Sequence, residues 1–289
     1  TTNSTFDGVD IATRDGVLTS TTATAAAALP KAGGALTGAV TTNSTFDGRD
    51  VAADGVTADA ALPKAGGTMT GNLATAGISA VTAGTSNFVA GVNAGNSIVS
   101  GGNYNTVVGD EAGTAITTGD NNTAVGYTAL DANTTASNNT AVGRYALTAN
   151  TTGGNNTSVG GEALQSNITG GNNVAVGYKT LEDNTTGTGN SAVGQGALRN
   201  NTTASSNVAM GKDALNANTT GTSNVAVGKN ALAANTTGPY NTSVGADSLD
   251  ANTTGSANTA LGFKALGANT TASNNTAVGA DSLDANTTG

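Results

Sequence analysis

The feature that most constrains this chain is a seventeen-residue period running without a gap through residues 105–289. One copy reads Asn122-Thr123-Ala124-Val125-Gly126-Tyr127-Thr128-Ala129-Leu130-Asp131-Ala132-Asn133-Thr134-Thr135-Ala136-Ser137-Asn138. Glycine holds the fifth position of every copy, from Gly109 through Gly126 and Gly143 to Gly279. A unit this small cannot enclose a core by itself. It is stable only by stacking on its neighbours, which points to a solenoid or fibrous array and away from an ordinary globular domain.

Composition agrees. Aromatic residues make up 3% of the 289 positions and charged residues 10%, too few large side chains for a conventional core. Taken alone, that poverty would suggest disorder, but a disordered segment has no reason to keep Val and Leu at fixed phases. The chain has no Cys and no His, so it lacks thiolate and imidazole metal ligands and the commonest general base. A net charge of −9 disfavours nucleic acid and anionic membranes as partners. No apolar run is long enough for a membrane-spanning helix. No nucleophile and base pair stands out from the repeat, and the glycine-rich spacing lacks a phosphate-loop lysine. No catalytic, cofactor or metal site is therefore expected.

Within each unit the first five residues favour a strand, and the glycine suits a turn with positive φ or a close backbone approach. The expected fold is all-β: a parallel β-solenoid with one coil per seventeen residues. Val125, Val142 and Val193 at the fourth position are expected inside. A second short strand is expected to carry Leu130, Leu147 and Leu198, at the ninth position, into the same core. Stacking puts identical residues about 4.8 Å apart. Asn122 and Asn139 at the first position, and Asn133 and Asn150 at the twelfth, are then expected to form amide ladders closed by turns at Gly126 and Gly143.

The rest of the chain is organised differently. Residues 1–82 hold a looser repeat: Thr1-Thr2-Asn3-Ser4-Thr5-Phe6-Asp7-Gly8 returns from Thr41 to Gly48, and Leu29-Pro30-Lys31-Ala32-Gly33-Gly34 returns as Leu62-Pro63-Lys64-Ala65-Gly66-Gly67. Asp-Gly and Gly-Gly mark turns and the prolines interrupt helix, leaving at most a short helix at residues 21–28. Asp7, Asp10, Asp47 and Asp50 read as turn residues, since they lack the remainder of a Ca²⁺-loop pattern. Residues 83–104 form a junction and an atypical first coil, with Asn87 to Gly91 eighteen residues ahead of the regular frame. The next unit also diverges, with Gly113 for Leu and Ile116 for Asn.

The Leu-Pro-Lys-Ala-Gly-Gly motif, completed by Thr37-Gly38 and Thr70-Gly71, resembles shaft and connector repeats of bacteriophage tail fibres. The Asn-Thr-Ala-Val-Gly unit with its Ala-Leu and Asn-Thr-Thr-Gly steps is similar to repeats of viral and bacterial fibre proteins, and more distantly to the heads of trimeric autotransporter adhesins. The resemblance implies an intertwined homotrimer and an extended, irregular N-terminal shaft. It also implies attachment to virion tail or baseplate proteins near the N-terminal end, with host contact through a distal region, in a virion or extracellular setting. Independently, a single roll with so little apolar volume per coil needs partner chains. Small third-position residues would let three rolls approach one axis, and the face of positions two and four is the other candidate for that axis.

Charge gathers at the variable sixth, seventh and tenth positions, among them Lys179, Lys212, Asp213, Lys229, Asp247, Lys264 and Asp281. These rows read as the solvated face. Tyr127, Tyr145, Tyr178 and Phe263 share them without forming a column, which weighs against a sugar-binding surface. The function expected is a structural, non-enzymatic shaft of a tail fibre. The alternative is an adhesin or ice-binding solenoid, against which stands the pairing of Thr134 with Thr135, which in a strand face opposite ways. A β-helical carbohydrate-cleaving enzyme would need a broken repeat where carboxylates gather, and the array has no insertion.

Overall fold

The computed structural model describes residues 83–287 throughout, together with the strand residues Thr5–Phe6, Val9–Asp10, Thr45–Phe46, Arg49–Asp50 and Ile78–Ser79. The chain divides into two units, Thr1–Met69 and Thr70–Gly289. In the first, β1 (Thr5–Phe6) pairs antiparallel with β2 (Val9–Asp10), and β3 (Thr45–Phe46) pairs in the same way with β4 (Arg49–Asp50). Both pairs bracket an Asp-Gly dipeptide, the residues a tight hairpin turn favours. The expected helix at residues 21–28, the Leu-Pro-Lys motifs and the extended shaft lie outside the described residues.

The second unit is a parallel β-solenoid of about eleven turns with coils of about seventeen residues. Each coil contributes one three-residue strand, from β6 (Phe88–Ala90) and β7 (Thr106–Val108) to β17 (Thr276–Val278). Every strand pairs in parallel with the next at identical phase, as in Thr123↔Thr140, Ala124↔Ala141 and Val125↔Val142. The sheet already includes Phe88–Ala90, which pairs with Thr106–Val108, so the first coil is one residue longer than the rest. Its outer edge is covered by β5 (Ile78–Ser79), which runs antiparallel to β6.

The expected second strand does not form. Ala129 and Leu130 are adjacent and both fully buried, which the alternation of a strand forbids. A different backbone path solves this. Thr128 and Leu130 take φ of 49° and 57°, and the equivalent leucines Leu147 and Leu198 take 54° and 51°. Left-handed residues on either side of Ala129 turn two consecutive side chains inward. The main chain stays bonded throughout: Thr128 N donates to Asp110 O (3.0 Å) in the coil before, and Leu130 N donates to Ala146 O (3.0 Å) in the coil after. Such φ values are unfavourable for residues with a Cβ. Here the buried leucine column and the inter-coil bonds hold them.

The strand also presents the opposite face from the one expected. Ala124, Ala141 and Ala192 at the third position are buried, whereas Val125 and Val142 are half-exposed and Val193 is 39% exposed. Val125, Val142 and Val193 are therefore not core residues of the roll, while Leu130, Leu147 and Leu198 are. The width of the coil decides this. Ser158 Oγ at the third position donates to Ala163 O at the eighth, 2.8 Å away. So little space separates strand from turn that a methyl or hydroxymethyl group fits and a valine does not. Because the third position is buried, its small residues form no outer face that could line a trimer axis.

The first two coils solve the same packing problem with other residues. They carry Val89, Gly95 and Ile98, and Val107, Gly113 and Ile116, where the regular unit has Ala, Leu and Asn. A Cβ at Gly113 would lie 2.7 Å from Ile116 Cδ1 and 3.3 Å from Val107 Cγ1, and Gly95 has the same two neighbours in Ile98 and Val89. The isoleucine and valine thus fill the volume that leucine fills elsewhere. Gly126 needs to be glycine on both counts: its φ is +135°, and a Cβ would come within 2.6 Å of Gly143 O.

Candidate interaction surfaces

Two asparagine columns brace the inside of the stack, and the expected positions are all in them. Asn122 and Asn139 accept on Oδ1 from the backbone N–H of the first-position Asn in the next coil, as in Asn139 N to Asn122 Oδ1 at 3.0 Å. In the twelfth-position column side chain bonds side chain: Asn150 Nδ2 donates to Asn133 Oδ1 at 3.0 Å. Both columns converge on one acceptor per coil, since Asn122 Nδ2 and Asn133 Nδ2 each reach Ala136 O at 3.0 Å. These amides are buried, so the Asn-Thr-Thr sequons from Asn133 to Asn269 have their asparagines inside the roll and bonded, while Asn286 in the last coil is half-buried. Their role is to satisfy one another and the backbone in a dry interior.

Outside, the cross-section is polarised. Across the described coils every charged residue except Asp120 falls at positions six, seven, ten or eleven. The opposite side carries none. Its sheet face shows two columns, mostly Thr at the second position and Val, Met210 or Leu261 at the fourth. Val159, Val174, Val193, Met210, Leu261 and Val278 are exposed on it. Beside that face runs an unbroken row of exposed threonines at position fourteen, from Thr118 through Thr135 and Thr203 to Thr271. The thirteenth-position threonines behave differently: Thr185 Oγ1 donates to Thr202 O of the next coil at 3.0 Å. Adjacent threonines such as Thr134 and Thr135 thus have separate tasks, one bonding coils and one facing solvent.

On the charged side the structure brings together residues that the sequence left scattered. Arg144 pairs with Glu162, Glu162 Oε2 with Lys179 Nζ (3.1 Å), Lys179 Nζ with Glu182 Oε1 (3.0 Å), and Glu182 Oε2 with Arg199 Nε (2.7 Å). Signs alternate across four consecutive coils. Burial pushes the Glu182 carboxyl up, but hydrogen bonds from Lys179 and Arg199 and their charges outweigh it, leaving Glu182 below its ordinary value. The hydrogen bonds that Lys179 donates to Glu182 and Glu162 hold its ammonium above the ordinary value. Burial first, then the Glu182 charge, raises neighbouring Asp183. Lys212, Lys229, Lys264 and Asp281 are exposed as expected of their rows, whereas Asp213 and Asp247 are half-buried, Asp247 accepting from Asn230 Nδ2 at 2.9 Å.

The aromatic residues join this ladder. Tyr127 and Tyr145 meet edge to face with ring centroids 5.5 Å apart, and the Arg144 guanidinium lies 4.7 Å from the Tyr145 centroid. Lys179 Nζ is 5.6 Å from the Tyr178 ring, and Lys264 Nζ is 5.5 Å from the ring of Phe263, which stands apart from the three tyrosines. The sequence concealed the Tyr127–Tyr145 contact because the two occupy positions six and seven, a diagonal across coils. Among the described residues no group of three potential metal ligands occurs, and no helix is long and apolar enough to cross a membrane. Comparison with family models, curated proteins and solved structures finds no match to this chain.

Proposed function

We propose that this chain is a structural, non-enzymatic shaft and spacer of a viral tail fibre, phage or phage-like, assembled as a homotrimer and working outside the cell as part of a virion. The observation that carries the proposal is the pairing of interchangeable coils with a long, charge-free sheet face. Repeated coils with a fully bonded backbone provide length, stiffness and resistance to proteolysis. The exposed valine column, with 39% exposure at Val193 and 47% at Met210, is the apolar surface that three copies would bury around a closed axis. In this reading the N-terminal repeats join the chain to tail or baseplate proteins, and the shaft carries a host-attachment function placed elsewhere in the fibre.

The test has two parts. Deleting residues 190–223, two whole coils in phase, should leave a trimer about 10 Å shorter that still supports host attachment. Loss of attachment from intact trimers would make the repeats themselves adhesive and refute the spacer role. Val193→Lys, on the outward face, should weaken trimers in sedimentation or native mass spectrometry and lower the melting temperature as the trimer is lost. Trimers that tolerate that lysine would exclude this face as the axis. A second reading, an adhesin or ice-binding solenoid of a bacterial surface, draws on the exposed threonine row from Thr118 to Thr271. Thermal hysteresis in solutions of the full chain is its measurement.

A further inference from the structure

A spacer needs no aromatic surface. Exposed aromatic residues stand singly elsewhere in the array, as at Tyr240 and Phe263, but coils 122–138, 139–155 and 173–189 place theirs beside the ion-pair ladder. Tyr127, Tyr145 and Tyr178 all lie on the charged rows, together with the ladder from Arg144 to Arg199. Between them position six of the intervening coil is Gly161, where a Cβ would stand 3.5 Å from Tyr178 Cδ2. The missing side chain leaves a notch with the edge of the Tyr178 ring on one flank. Tyr145 and Tyr178 are two coils apart, about 10 Å along the stack, a span suited to two linked sugar rings.

We infer that this patch is a lateral binding site for a neutral polysaccharide. Tyrosine faces are apolar enough to cover the C–H faces of pyranose rings while their hydroxyls stay in water. Arg144 stacks on Tyr145 and, at 58% side-chain exposure, keeps N–H donors free beyond its bond to Glu162. Arg199, at 43% side-chain exposure, likewise keeps N–H donors beyond its bond to Glu182, whereas the oxygens of Glu162 and Glu182 are taken up within the ladder. The charges decide the class of ligand. Arg144, Lys179 and Arg199 are balanced by Glu162, Glu182 and Asp183, so no net positive field exists to hold a polyanion. The site goes beyond the spacer role and does not depend on it.

The test is affinity electrophoresis of the full chain in native gels cast with laminarin, dextran or galactomannan, with alginate and heparin as polyanionic comparisons. The chain has no Trp, so tyrosine emission gives a second readout in solution. Retardation is expected with at least one neutral polysaccharide and not with the polyanions. Tyr145→Ala and Tyr178→Ala should each weaken binding about three- to tenfold, and Tyr145→Phe should preserve it. Tyr240→Ala, which removes a 65% exposed ring outside the patch, should change nothing. Should Tyr145→Ala lower the melting temperature, Tyr178→Ala and Tyr145→Phe still decide. The inference fails if no neutral polysaccharide retards the chain, if only polyanions do, or if Tyr240→Ala weakens binding as much as Tyr178→Ala.

Discussion

Asn201 offers a direct measure of what the internal amide column contributes. Its Nδ2 donates to Asn184 Oδ1 (2.8 Å) and Ala204 O (3.0 Å), and its Oδ1 accepts from Asn218 Nδ2 (3.0 Å). In Asn201→Ala three bonds disappear, but the consequences differ. Ala204 O keeps a donor in Asn190 Nδ2 (2.9 Å), and Asn218 Nδ2 keeps Gly221 O (3.0 Å). Asn184 Oδ1 loses the donor from Asn201 and stays buried, at about 1–3 kcal/mol for such a group. Adding the lost bond to Asn218 and a small cavity gives about 2–4 kcal/mol in all. For a domain this large each kcal/mol corresponds to roughly 2–4 °C, so melting should fall by about 5–15 °C. Thr203→Ala, two residues away on the exposed row, should stay within about 0.5 kcal/mol. Circular-dichroism melts of the two variants compare these values. Equal shifts would mean that the column is an ornament of the turn and that the backbone ladder alone holds adjacent coils.

Gly113→Leu alone should destabilise the roll by about 1–3 kcal/mol, because Ile116 and Val107 already fill the space; the triple change Val107→Ala, Gly113→Leu, Ile116→Asn should recover most of it, and additive effects in melts would refute the exchange of volume. The ion-pair ladder predicts a pH dependence. Glu182 is held below its ordinary value of 4.5, so its contribution is present above that value and lost as pH falls through the folded one. The gap in melting temperature between the native chain and Glu182→Gln should therefore be widest at neutral pH and close in acid. Asp183 is raised and runs the other way, its contribution being present in acid and lost as pH rises through its folded value. A gap independent of pH would show that the ladder is screened out.

How much of this was legible in the residues depends on which column is considered. The period, the glycine turn, the inward leucines and the two asparagine columns follow from stacking identical units, because a column amplifies each local preference. Val125 faces outward although it is larger than the buried Ala124, because size alone does not decide burial. What governs the strand's facing is the distance to the opposite turn, which only the coil's closed path sets. The second strand failed on a signal that was present: positions eight and nine are both apolar in most regular coils, as at Ala129 and Leu130, with Thr180, Ser248 and Ser282 the exceptions at position eight, a pattern incompatible with alternation. Val107 belongs with Gly113 and Ile116 as one substitution in three parts, which position-by-position comparison separates. The tyrosine cluster was hidden because proximity across coils runs along diagonals that a seventeen-residue alignment separates.

The antiparallel strand Ile78–Ser79 gives the stack a direction in time as well as in space. It closes the edge of Phe88–Ala90 that precedes the array, so the only template left for pairing faces the coils still to come. As the chain leaves the ribosome, each coil can dock on a finished edge as soon as its seventeen residues are out, with no distant segment to await. Assembly then resembles a zipper pulled from one end. A coil that slips its phase is felt at once by the next. The chain can gain or lose whole coils without relearning how to fold, whereas an insertion of any other length would put every later asparagine out of reach of its neighbour.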